Sequence, residues 1–106
     1  MPEFVPVAQV SEIPPRSAQA FAVGRYEVAV FHVDGDFFAL ENTCPHQGGP
    51  LADGFLEGHQ ITCPWHAWCF DVRSGKMTLG EFAMVQRFQV RIEGATILVR
   101  NEPDDE

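Results

Sequence analysis

Basic residues are scarce in this chain: seven Lys and Arg stand against fifteen Asp and Glu among 106 residues, for a formal net charge of −8. Nucleic acid, whose phosphates require a basic face, is disfavoured as a partner. An acidic balance fits solubility and a protein partner with a basic docking surface. Long apolar runs are also missing. Nothing approaches the roughly eighteen uninterrupted apolar residues of a membrane-spanning helix, and Met1-Pro2-Glu3-Phe4 lacks the basic stretch and apolar stretch of a signal peptide. No membrane association is expected, and the cytoplasm is the expected location. Cysteine is limited to Cys44, Cys63 and Cys69, too few for a disulfide framework, in keeping with a reducing compartment. Internal repeats, phosphate-cradling glycine loops and long amphipathic helices are absent. With 45% hydrophobic residues the chain is long enough for one core and too short for two, so residues 1–106 are expected to form a single domain.

What is present is a succession of short strand signals. Phe4-Val5-Pro6-Val7-Ala8 carries an internal proline and reads as an edge strand. Ser11 to Pro15 turns the chain. Ala20 to Val23 and Glu27 to Val33 read as strands around Gly24-Arg25, and Asp34-Gly35 is a hairpin signal leading into Phe37 to Leu40. Val28, Val30 and His32 alternate with Ala29, Phe31 and Val33, so both faces are largely apolar and this strand is expected to be central, with His32 a satisfied sheet residue. Gln60 to Thr62 and Trp68 to Asp71 suggest a small sheet of their own, and residues 71 to 75 close a turn. His59 is expected to be an exposed loop residue. Phe88, Val90 and Ile92 alternate with polar residues, Glu93-Gly94 turns, and Thr96 to Arg100 returns as a closing hairpin for the main sheet. Asn101 to Glu106 reads as a frayed tail, acidic over 102–106. The fold class is all-β: an antiparallel β-sandwich or small barrel with an inserted subdomain at about 43–75.

The inserted subdomain holds the chemistry. Cys44-Pro45-His46 is answered, after sixteen intervening residues, by Cys63-Pro64-Trp65-His66. Each knuckle offers one thiolate and one imidazole beside turn-forming residues, Gln47-Gly48-Gly49-Pro50 after the first and Pro64 within the second. Zinc also accepts two Cys and two His, but its familiar spacing puts both cysteines on one knuckle and both histidines on a helix. Mixed knuckles suit a binuclear [2Fe-2S] centre, giving one iron both sulfurs and the other both nitrogens. With Cys69 the one further thiol, four cysteine ligands cannot be assembled. Cys69, flanked by Trp68 and Phe70, is expected to be a buried or half-buried thiol outside the ligand set. Phe82 and Met84 are candidates for a third loop covering the site.

The pattern Cys44-x-His46-x16-Cys63-x-x-His66, with Gly48, Pro50, Leu51, Pro64, Trp65, Phe70, Asp71 and Gly75 around it, resembles the Rieske ferredoxins, and the flanking strands extend the resemblance over most of the chain. The resemblance implies that Cys44 and Cys63 bind one iron and His46 and His66 the other, in one Rieske-type [2Fe-2S] cluster. Two positions depart from the family pattern. Ala67 stands where glycine is common after the second His, and Gly80-Glu81 where Gly-Pro is frequent.

Charge explains the use of such a site. With two thiolates instead of four, the oxidised cluster is neutral and the reduced cluster carries a single negative charge, so an electron is accepted more easily. An imidazole that ligates through one nitrogen leaves the other as a proton and hydrogen-bond site. Pro45 and Trp65 would add an apolar docking rim. The resemblance implies a one-electron carrier, without a substrate site or catalytic residues of its own, between a flavin-dependent reductase and a terminal oxygenase. The alternative it implies is the small subunit of an NAD(P)H-dependent nitrite reductase. An oxygenase's own Rieske domain would adjoin a larger domain with a 2-His-1-carboxylate iron, for which this chain has no spare ligand set.

Overall fold

A computed structural model describes residues 3–43, 50–64, 68–78 and 84–103. The described residues form ten strands: β1 (Phe4–Gln9), β2 (Ser17–Val23), β3 (Tyr26–Val33), β4 (Asp36–Glu41), β5 (Phe55–Glu57), β6 (Gln60–Thr62), β7 (Cys69–Asp71), β8 (Arg87–Phe88), β9 (Val90–Glu93) and β10 (Thr96–Arg100). They form three antiparallel sheets in the orders β2-β3-β4-β8, β1-β10-β9 and β5-β6-β7.

The apolar alternation on both faces of β3 is the key to this layering. Ala29, Phe31 and Val33 join one core, together with Leu40, Leu51, Ile61, Cys63, Phe70, Val72 and Val85. Val28 and Val30 point the other way, into a second core with Ile13, Val23, Ala39, Phe88, Ile97 and Val99. The four-stranded sheet is therefore the middle layer, with the β5-β6-β7 cap on one face and the β1-β10-β9 sheet on the other. Fully buried side chains such as Phe31, Phe70 and Phe88 stabilise these interfaces by about 1.5–3 kcal/mol each relative to exposure.

The β3–β4 hairpin forms at Asp34-Gly35, where both residues have positive φ, 53° and 87°. That pair of left-handed residues matches the right-handed twist of the flanking strands. β1 pairs only with β10, as an edge strand should, and its register shifts between Pro6 and Ala8, where the proline ring removes a ladder donor. β2 begins at Ser17, three residues before the apolar run that signals it.

The closing hairpin differs from expectation. β8 pairs with β4 only at Ala39–Phe88 and Leu40–Arg87, and the chain then leaves the middle sheet, so that β9 and β10 pair with each other and with β1 in a separate sheet. Ile92, opposite the buried Ile97 on this edge strand, is 42% exposed. Nor does Asn101 belong to a frayed tail. Its N–H donates to the Glu3 carbonyl at 2.8 Å, and its side-chain oxygen accepts from the Glu3 N–H at 3.0 Å. Residues 104–106 lie outside the described residues.

Candidate cluster site

The first ligand loop springs from the end of β4. Asn42, a 4% exposed side chain, organises its base: the backbone N–H donates to the Glu27 carbonyl at 2.8 Å, the carbonyl accepts from Leu51 at 3.1 Å, and the side-chain oxygen accepts from the Ala52 N–H at 2.8 Å. A buried amide is stable only when its partners are supplied, and here they join the two limbs of the loop. A Thr43–Pro50 bridge closes the base. Cys44 and His46, with Pro45, Gln47, Gly48 and Gly49, are outside the described residues. Sequence reasoning passed over Asn42; its signal was an amide residue placed between an apolar strand and a turn-rich segment.

The second loop joins β6 to β7. Thr62 pairs with Cys69 across the two strands, and the Cys63 N–H donates to the Trp68 carbonyl at 2.9 Å. Cys63 is only 2% exposed and packs with Leu51, Ile61, Phe70 and Val72. Trp65, His66 and Ala67 lie outside the described residues. Cys69 is half-buried, as expected, with its sulfur 3.3 Å from the Thr62 hydroxyl. The cap contains a strand that the sequence reading lacked, β5, paired with β6 from Phe55–Thr62 to Glu57–Gln60.

A third segment rises beside β7. The Thr78 N–H donates to the Cys69 carbonyl at 3.0 Å and the Asp71 N–H to the Lys76 carbonyl at 2.9 Å, while Lys76 bridges to Met84 and the Val85 N–H donates to Gly75 at 2.8 Å. Met84 is 49% exposed; Phe82 and Gly80-Glu81 lie outside the described residues. The three segments converge below: Leu51, which follows the first loop, Cys63 in the second and Val85 after the third are members of one buried cluster.

Two histidines stand apart from the ligand set. His32 is buried in β3, its Nδ1 2.8 Å from the Ile13 carbonyl oxygen and its ring stacked on Phe37, which bears out the reading of a satisfied sheet residue. His59 corrects the expectation of an exposed loop residue. It is half-buried, its ring edge-on to Phe38 with centroids 5.7 Å apart, because the β5–β6 turn folds back on the middle sheet and the His59 carbonyl accepts from Val72. The cap also carries an ion pair at Asp71, whose carboxylate accepts from the Arg73 guanidinium at 2.8 and 3.0 Å and from the Arg73 backbone N–H at 2.8 Å. The side-chain hydrogen bonds to Arg73 hold the Asp71 carboxyl below its ordinary value, against a smaller opposing effect of burial.

The donor set fits an iron–sulfur centre. Two thiols and two imidazoles belong to loops whose bases share one core, and thiolates with imidazoles are the ligands of a Rieske-type centre. Among the described residues no group of three His, Cys, Asp or Glu gathers that could hold a metal. No helix among them is long and apolar enough to cross a membrane.

The Rieske [2Fe-2S] domain family matches residues 3–89. The biphenyl dioxygenase ferredoxin subunit of Pseudomonas sp. (strain KKS102) is 35% identical over 98 residues, covering 91% of this chain and 90% of that protein. A chain in the solved complex of reduced oxygenase and oxidised ferredoxin of carbazole 1,9a-dioxygenase is 28% identical, with a TM-score of 0.89 and 97% of each chain covered. The NADH-dependent nitrite reductase small subunit described from Mycobacterium tuberculosis shares the fold, with a TM-score of 0.88 over 94% of this chain and 96% of that one, at 17% identity. With a family match over most of its length and a ferredoxin subunit at this identity, the chain belongs to the Rieske [2Fe-2S] family in its ferredoxin form, an electron-transfer component with one Rieske-type cluster.

Proposed function

We propose that Cys44 and Cys63 ligate one iron of the cluster and His46 and His66 the other, and that the protein is a cytoplasmic one-electron carrier between a flavin-dependent reductase and a terminal oxygenase. The observation that carries this reading is the convergence of the ligand-loop bases on one core, through Leu51 and Cys63. A cofactor held by four ligands on two loops needs both bases fixed to the same body, and the Asn42 hydrogen bonds and the Cys63–Trp68 hydrogen bond supply that fixation. When bound, the cluster supplies one-electron uptake and release at a potential raised by its nitrogen ligands. The histidines add a second property: each imidazole keeps one ring nitrogen for a proton or for a hydrogen bond to a partner. The acidic surface favours encounter with a basic partner. The nitrite reductase alternative has a likeness of fold behind it and no further observation.

Iron and acid-labile sulfide analysis tests the ligands: two irons and two sulfides per chain in the wild type, lost in His46→Ala and Cys63→Ala. One zinc without sulfide would end the reading. The carrier role is tested by reconstituting turnover with a flavin reductase and a terminal oxygenase, sought first among the genes neighbouring that of this chain. A large sirohaem-type reductase subunit in their place would favour the alternative.

A further inference from the structure

Register divides the cap into two faces. Leu56, Ile61, Phe70 and Met77 lie opposite one another across β5, β6, β7 and the following segment; Ile61 and Phe70 are buried in the core cluster, and Leu56 and Met77 pack against it. Side chains alternate along a strand, so the residues on either side of these four point outward. Phe55 opposes Thr62 and Thr62 opposes Cys69, whose carbonyl accepts from Thr78. The row Phe55–Thr62–Cys69–Thr78 therefore runs along the outer face at the end adjoining the second ligand loop. The next row outward from the loops is Glu57–Gln60–Asp71–Lys76–Met84.

The composition of this face is unusual for the chain. Among the described residues the large exposed apolar side chains are Phe55 at 70%, Met84 at 49% and Ile92 at 42%. Two of the three lie on the outer face of the cap, Phe55 at one margin and Met84 at the other. The row beside the loop carries no charge, in a protein with 21% charged residues. Asp53 and Glu57, both exposed, flank Phe55 in sequence. An exposed aromatic next to uncharged residues, with carboxylates at the margin, has the anatomy of a docking surface with an apolar centre and a polar rim.

We propose that this outer face, along Phe55–Thr62–Cys69–Thr78, is where the terminal oxygenase docks, presenting an apolar patch rimmed by Lys or Arg side chains toward Asp53 and Glu57. The proposal rests on the carrier reading. The oxygenase is the chosen occupant because the related ferredoxin covering 97% of this chain was solved in complex with an oxygenase, and because charge complementarity places basic groups opposite the two carboxylates. Removing the Phe55 ring should weaken docking without altering the redox centre, since the ring points away from the core that holds Cys63.

Phe55→Ser tests this, with Ile92→Ser on the other sheet as the control. Steady-state turnover of the oxygenase with reduced protein is measured together with midpoint potential and visible spectrum. Phe55→Ser is expected to raise the oxygenase KM for the protein about tenfold or more, the effect of truncating an aromatic hot spot, with kcat, potential and spectrum unchanged. Ile92→Ser should change nothing. If Phe55→Ser fails to retain its cluster, Thr78→Lys puts a charge on the same exposed row and should raise the KM likewise. An unchanged KM in the variant that folds overturns the proposal, as does a rise confined to the reductase reaction. A wild-type protein that passes no electron to the oxygenase would instead bring down the carrier reading.

Discussion

The Cα of Gly54 lies against the carbonyl oxygen of Thr62, with no room for a Cβ between them. Thr62 immediately precedes Cys63, so the backbone that positions this proposed ligand is seated on the turn after the first Cys-His loop, where the Gly54 N–H also donates to the Leu51 carbonyl at 3.0 Å. Backbone contact between the two ligand loops requires a residue without a side chain at this point.

Gly54→Ala is therefore expected to force the loops apart, at a cost of about 1–3 kcal/mol typical of overpacking. Thermal unfolding monitored by cluster absorbance should show a lower midpoint and early loss of colour. A variant as stable as the wild type would mean that the cap yields without consequence.

Cys69→Ser should retain the full cluster, because a serine hydroxyl preserves a polar partner for Thr62 and removes none of the proposed ligands. Cys63→Ala and His46→Ala should lose it, together with the stability that cluster binding gives the cap. Iron and sulfide per folded chain decide the matter; loss in the Cys69 variant with folding intact would show a misassigned ligand.

The midpoint potential is expected on the low side of the Rieske range of about −150 to +300 mV. Hydrogen bonds to the cluster sulfurs raise the potential, and position 67 is alanine, so no hydroxyl is available there. Thr62, next to Cys63 in sequence, has its hydroxyl 3.3 Å from the Cys69 sulfur on the outer face of the cap. Potentiometry giving a value above about +100 mV, well inside that range, would contradict this.

Asp71→Asn should alter the acid limb of stability. The native carboxyl is held below its ordinary value of 3.8 chiefly by its side-chain hydrogen bonds to Arg73. A depressed folded pKa stabilises the fold above the unfolded value, and that contribution disappears as pH falls through the folded one. Urea unfolding at descending pH should show the wild type losing an increment below pH 3.8 that Asp71→Asn does not lose. Arg73 is exposed and Asp71 only half-buried, so solvent screening will keep the increment small. Parallel acid limbs for the two proteins would exclude the effect.

Reduction of the protein by its reductase should slow as salt rises from about 0.01 to 0.15 M, since the Debye length shrinks from about 30 to 8 Å over that range. Stopped-flow rates at several ionic strengths measure it. Rates indifferent to salt, with stable coelution from a large partner, would identify a fixed subunit in place of a mobile carrier.

The strand pattern, the central position of β3, the Asp34-Gly35 hairpin and the Cys-His knuckles were legible in the sequence because each depends on residues close together in the chain. Period-two alternation, paired left-handed turn residues and ligand spacing are local properties. The cysteine-histidine pattern even implied the cofactor, since few metal centres take thiolate and imidazole in such mixed pairs. Tertiary structure decided the rest. That β9 and β10 pair with β1 follows from a departure at Gln89 that leaves β8 two residues long, and alternation from Phe88 to Ile92 continues across that boundary without a mark. His59 is half-buried because Phe38, far away in sequence, lies beneath it. Asn42 and Gly54 became visible as supports of the ligand loops only when their partners Ala52 and Thr62 were in place, because a buried amide or a missing Cβ acquires its role from what is packed against it.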